Sequence, residues 1–191
     1  ESAIHDFFRS HSNHFAELEN AADAAREAIG GQSDDLYSNL KRHLSHAFGI
    51  SVEVVSLDRM PDSLRIFDRE AKKVLLSEAF DPINRNFQLA HVLALASCGS
   101  LLDALIASAG SLTDAGKARC RIELANYFAA ALLMPYGRFL DLAESTAYDI
   151  DRITATFSVS FEMACHRLTT LQRWGAQGVP FFFLRIDRAG N

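Results

Sequence analysis

The sequence holds no run of about 18 consecutive apolar residues, so no membrane-spanning helix is expected. No basic-then-apolar leader marks a secretory signal. Positive charge is not in excess: 19 Lys and Arg face 24 Asp and Glu, for a net charge of −5. That balance argues against nucleic-acid binding by bulk electrostatics. Cysteine is sparse. Cys98, Cys120 and Cys165 are odd in number and form no CxxC pair, which favours free thiols in a reducing compartment, the cytoplasm, over a disulfide framework. Each lies in a helical apolar pattern, where a buried inert thiol is the default and convergence on a metal cluster the sharper alternative. The chain begins at Glu1, not Met, and reads as a piece of something longer.

What the sequence does hold is apolar mass. In 191 residues, 49% are hydrophobic and 14 are Phe, enough for one sizeable domain with an aromatic-rich interior or pocket. Residues 2–29 read as one helix with Ile4, Phe7, Phe8, Phe15, Leu18, Ala22 and Ala25 on its apolar face, ended by Gly30 and Gly31. His5, His11 and His14 read as a solvated face. A capped helix follows over 35–48, then an alternating strand over 51–57. Residues 63–68 and 73–77 form a hairpin around Arg69–Lys72. Asp81-Pro82 starts a helix that ends near Gly99; a second runs over 100–109, and Thr113 or Asp114 opens a long one over 115–134. Residues 139–143 form a short helix. Residues 148–157 and 161–172 read as a helix-turn-helix, and 178–187 as a strongly apolar strand that must be covered. A DNA-reading helix needs basic or amide side chains near its start. Phe161-Glu-Met-Ala supplies neither, and Arg167 and Arg173 lie late, so this unit reads as packing. The expected fold class is α+β, mostly helical with a small sheet. The divisions are an N-terminal helix and linker (1–31), a core (32–143), and a helix-turn-helix-like tail with its strand (144–191).

Two stretches organise the core: FQLAHVLAL over 87–95 and ELANYFAAALLMP over 123–135. Both carry helical apolar periodicity, and Pro135 stops the second. Together they resemble the heart of the ImmA/IrrE-type zinc peptidase fold, in which the first helix bears HExxH and an acidic third ligand precedes the second motif. Here His91 stands at the first His position, Val92 replaces the general base and Leu95 the second His. A catalytic zinc needs three protein ligands and an activated water. His91 and Glu123 do not meet that requirement, and a lone His on an apolar face is by default a packed core residue. The core is therefore expected to be a degenerate zinc-peptidase-like one: no enzyme, no catalytic residue, no metal.

The segments ANYFAAALLMPYGRFL, YDIDRITATFSVSFEMACHRLTTLQR and GVPFFFLRIDRAGN are similar to the short-chain fatty acyl-CoA regulator family of PrpR/RamB type, over about residues 34–191. The resemblance implies a ligand-sensing domain of a bacterial transcriptional regulator of propionate and short-chain fatty acid metabolism. It implies CoA or a short-chain acyl-CoA as ligand and promoter DNA bound through a domain outside this chain. It implies an iron–sulfur cluster in at least some members, with Cys165 the cysteine that best fits a family position. A homo-oligomer is expected. A residual metallo-hydrolase and a structural dimerisation module are the alternatives. If a sensor, the old cleft would take the ligand between the 63–77 hairpin and the helices 82–98 and 115–134. Tyr127, Phe128 and His91 would line it, and Arg65, Lys73 and Arg85 would meet the phosphates.

Overall fold

The N-terminal apolar stretch does not run as one helix. In the computed structural model, which describes residues 2–30, 35–110 and 112–183, α1 (Ser2–Ser10) and α2 (Ala16–Ala28) are separated by a turn. Ser12 and Asn13 in that turn adopt left-handed φ values of 52° and 53°. Asn tolerates this conformation because its short side chain can bond locally. The break folds α1 back so that Phe7 and Phe8 meet Phe15 at ring separations of 5.6 and 5.0 Å. Continuous periodicity concealed it because both helices bury the same kind of face.

The next elements follow their local signals. Asp35 caps α3 (Leu36–Phe48) by accepting from Ser38 N–H, and Gly49 closes it at φ 69°. β1 (Ser51–Val55), β2 (Arg65–Asp68) and β3 (Lys73–Ser77) form one sheet in the order β1-β3-β2. β1 runs parallel and β2 antiparallel to the central β3. Alternation then assigns the faces. Val74 and Leu76, fully buried, point to the helices together with Phe67 and Arg65; Lys73 and Leu75 take the other face with Ile66 and Asp68.

Beneath the sheet, α4 (Pro82–Ser97), capped by Asp81, packs along α6 (Asp114–Leu133), capped by Thr113. α5 (Gly99–Ser108) bends away from α4 by 82°, and among the described residues no single helix is long and apolar enough to cross a membrane. Leu89, Leu93, Leu124 and Phe128 are fully buried between these layers. Burial of such side chains contributes about 1.5–3 kcal/mol each. Ile122, on the same helix, is exposed. A second cluster forms around α7 (Tyr136–Ser145), α8 (Ile150–Phe157) and α9 (Phe161–Leu168), with Phe139, Ile153 and Leu168 inside. The architecture is α+β and mostly helical, with a three-stranded mixed sheet. Residues 178–183 have no regular strand structure and join no sheet; the rest of the expected strand, 184–187, lies outside the described residues.

A buried ion pair fastens α9 to α2. Arg167 of α9 is wholly buried and donates to both carboxylate oxygens of Glu19 on α2, at 2.7 and 2.8 Å. Its Nε donates to Met134 O at 3.0 Å. Burial alone would raise the Glu19 carboxyl, but the Arg167 hydrogen bonds and charge outweigh it and hold it below the ordinary carboxylate value. The sign follows: this stabilisation is full above 4.5 and is lost as pH falls below it. Removing one partner leaves a buried unpaired charge, so Arg167→Met is expected to cost about 3–5 kcal/mol in urea unfolding. Glu19→Leu with Arg167→Met should recover much of that loss; a double variant as unstable as the single one would contradict it.

Candidate functional site

α4 and α6 bring His91 and Asn126 together. His91 Nδ1 lies 2.8 Å from Asn126 Oδ1, which can only accept, so the proton sits on Nδ1. Nε2 is left a bare acceptor, buried and without a hydrogen-bond partner among the described residues. The ring is 2% exposed. Burial, and then the Arg65 charge, push its pKa down to about 4 against the opposing Asn126 bond. This is how a metal-bound His is usually oriented: one nitrogen held by an oxygen, the other left as a lone pair. The rest of a metal site is missing. Val92 is fully buried, and Leu95 packs on the core. Glu123 is paired to Arg119 at 2.6 Å. Among the described residues no three His, Cys, Asp or Glu side chains converge. These residues do not fit a zinc ion, and no step through one is derived.

Beside the His91–Asn126 contact lies a cavity of about 450 Å³. Its walls come from α4 (Asn84, Phe87, Gln88), α6 (Asn126, Tyr127) and α9 (Met163), with Phe8 and Asn13 from the N-terminal turn. It faces α9 instead of the hairpin. Tyr127 joins it to the buried ion pair: its hydroxyl donates to Glu19 Oε1 at 2.6 Å and accepts from Phe15 N–H at 3.2 Å. Burial, then the Glu19 charge, raise the Tyr127 pKa. His14 Nδ1 stands 3.3 Å from the same hydroxyl, so His14 is half-buried in this cluster, not on the solvated face expected for it; burial lowers its pKa.

The other residues singled out in the sequence are dispersed. Arg65 is on the helix-facing side of the sheet, where burial lowers its pKa. Lys73 is on the opposite side, bound to Glu53 at 2.7 Å. Arg85 donates to Glu78 O at 3.2 Å, and Phe128 is fully buried in the core. Cys98, Cys120 and Cys165 are all buried, on the end of α4, on α6 and on α9, and burial raises each thiol. They do not fit a three-cysteine cluster within the described residues. Sequence reasoning missed Glu19, Arg167 and the α9 wall. The available signal was a Glu directly after Leu18 on the apolar face of α2.

The His91 ring sets a pH dependence. Between its ordinary 6.5 and about 4 only the unfolded chain takes up this proton, so stability falls as pH drops through that window. The loss attributable to His91 is about 3 kcal/mol. His91→Asn keeps a donor for Asn126 and removes the titration. Urea midpoints from pH 7 to 4 should then fall less steeply than in the wild-type chain; parallel slopes would show that His91 does not titrate in this window.

The geometry agrees with what the chain is similar to. Residues 44–169 match the IrrE N-terminal-like domain, and residues 170–191 match the C-terminal domain of the short-chain fatty acyl coenzyme A regulators. The HTH-type transcriptional regulator PrpR of Mycobacterium tuberculosis is 38% identical over 98% of this chain and 38% of its own length. RamB, also an HTH-type transcriptional regulator of Mycobacterium tuberculosis, is 35% identical over 98% of this chain and 40% of its own. A propionyl-CoA carboxylase regulator of Cereibacter sphaeroides is 37% identical over 98% and 39%. A solved Mycobacterium tuberculosis transcriptional regulator superposes with a TM-score of 0.91 at 38% identity, over 98% of this chain and 57% of that one. The chain thus spans about two-fifths of the length of these curated relatives. A peptidase frame stripped of its ligands, running directly into a regulator segment, leads to one conclusion: the chain belongs to the IrrE N-terminal-like domain family, in the form joined to the C-terminal domain of the short-chain fatty acyl coenzyme A regulators.

Proposed function

We propose that this chain is the ligand-sensing domain of a cytoplasmic bacterial transcriptional regulator, binding CoA or a short-chain acyl-CoA to control genes of propionate and short-chain fatty acid metabolism. It is not an enzyme. The observation that carries the reading is the pairing of a dismantled metal motif, with Val92 buried and Leu95 partly buried on the same helix as His91, and a concave site next to it. Concave, partly apolar sites with a few polar groups are where small ligands bind. The family match at residues 170–191 and the names of the relatives supply the ligand class.

In this reading the thioester and pantetheine arm lie in the cavity against Phe87, Met163 and the Tyr127 ring, with Asn84 and Gln88 available to the amides. His91 acts through Asn126. Arg65 and Arg85 are the cations for the phosphates on neighbouring elements, while Lys73, tied to Glu53, and Phe128, inside the core, support from behind. Promoter DNA is contacted by parts of the protein outside residues 1–191, which work as a homo-oligomer. Cys165 serves an iron–sulfur cluster only with ligands from those parts.

Calorimetry tests this directly. Propionyl-CoA, acetyl-CoA and CoA should bind, and free propionate should not. A hundredfold excess over Kd should stabilise the fold by about 2.7 kcal/mol. Elemental analysis should find no stoichiometric zinc, and casein should survive incubation. No binding by any CoA compound, or equal binding of free propionate, sinks the sensor reading; tight zinc with proteolysis lost in His91→Ala sinks the non-enzymatic one.

A further inference from the structure

A second cavity, of about 500 Å³, lies on the other side of α4. With 100° between successive helical residues, Asn84, Phe87 and Gln88 face the first cavity and Pro82 and Asn86 the second, from roughly opposite sides of the helix. The two differ in chemistry. The first is lined by Glu123 and Glu162 and, among the described residues, by no Lys or Arg. The second is lined by two guanidinium groups, Arg26 from α2 and Arg138 from α7.

We infer that this second cavity is a separate binding site for a small organic dianion, a phosphate monoester or a dicarboxylate, held between Arg26 and Arg138. Arg26 is anchored by one bond, from Nη2 to Ala131 O at 2.8 Å, and no carboxylate of the described residues lies within ion-pair distance of it. An arginine fork so anchored presents the remaining donors in a geometry that suits phosphate or carboxylate oxygens. Burial pushes the Arg26 pKa down to about 10; Asp23 opposes that shift, and the neighbouring Arg138 charge adds to it.

The backbone adds to the same field. Asp35, Leu36 and Tyr37 at the start of the 13-residue α3, and Pro82 at the start of α4, all border the cavity. Helix N-termini favour negative charge. Among the described residues Asp35 is the one acid on the wall, and it accepts from Ser38 N–H as the helix cap. Tyr37 and Phe157 supply ring walls, with the Arg138 guanidinium 5.7 Å above the Phe157 ring. These rings suit the body of an organic ligand better than a bare ion.

The test is calorimetric titration of the chain with AMP, succinate and inorganic phosphate. AMP or succinate should bind one to one, and which of them binds tells a phosphate monoester from a dicarboxylate. Affinity should fall at least tenfold in Arg26→Gln and in Arg138→Gln, each checked for a native circular-dichroism spectrum and melt. It should be unchanged in Gln88→Ala, on the other cavity, and in saturating propionyl-CoA. If Arg26→Gln fails to fold, Arg138→Gln decides. Four results would each overturn the inference: no binding by AMP or succinate, inorganic phosphate binding as tightly as both, affinity indifferent to the arginine substitutions, or competition with propionyl-CoA.

Discussion

The structure depends on a charge pair placed where charges are expensive. Glu19 and Arg167 are almost completely removed from water, and desolvating each ion costs several kcal/mol. The arrangement persists because nearly every hydrogen-bonding position is used. Arg167 spends its fork on the carboxylate, its Nε on Met134 O and a further bond on Thr170 Oγ1. Glu19 receives the Tyr127 hydroxyl as well. The Arg167 guanidinium also lies 5.6 and 5.9 Å from the rings of Tyr136 and Tyr127. Such a cluster tolerates one geometry, so α2, α6 and α9 are held in register where apolar packing alone would permit sliding. Tyr127 borders the first cavity, which brings that rigid junction to the wall of the candidate binding site.

The His91–Asn126 pair shows how a metal site can be dismantled from the inside. The outer support, an oxygen on Nδ1, remains, while Val92 stands at the general-base position and Leu95 at that of the second His. Packing and not coordination holds α4 against α6, with Leu89, Leu93, Leu124 and Phe128 fully buried. The cost is an Nε2 with no partner among the described residues, and the ring tolerates it because it stays neutral far below its ordinary pKa.

How much of this could be read from the residues depends on how local each cause is. Asp35, Asp81, Thr113 and Ser160 all cap helices, and each signal lies within three residues of its effect. The β2–β3 hairpin and the degenerate metal motif are local in the same way. The break at Ser12–Asn13 was not legible, because the stripe from Ile4 to Ala25 fits one helix as well as two. Nor was the Glu19–Arg167 pair, whose partners are 148 positions apart. Tyr127, on the wall of the first cavity, is bonded to that pair. The expectation of a cleft under the hairpin came from the old metal site, while the wall supplied by Ser160 to Thr170 required knowing where α9 docks.

The turn at Ser12–Asn13 has a consequence for how the molecule is made. It carries Phe8 and Asn13 to one lip of a cavity whose other lip is α9. The site is therefore assembled from the beginning and the end of the described chain. During synthesis the first lip is followed by more than a hundred further residues before α9 supplies the second. A fragment lacking either lip would lose one wall of that cavity.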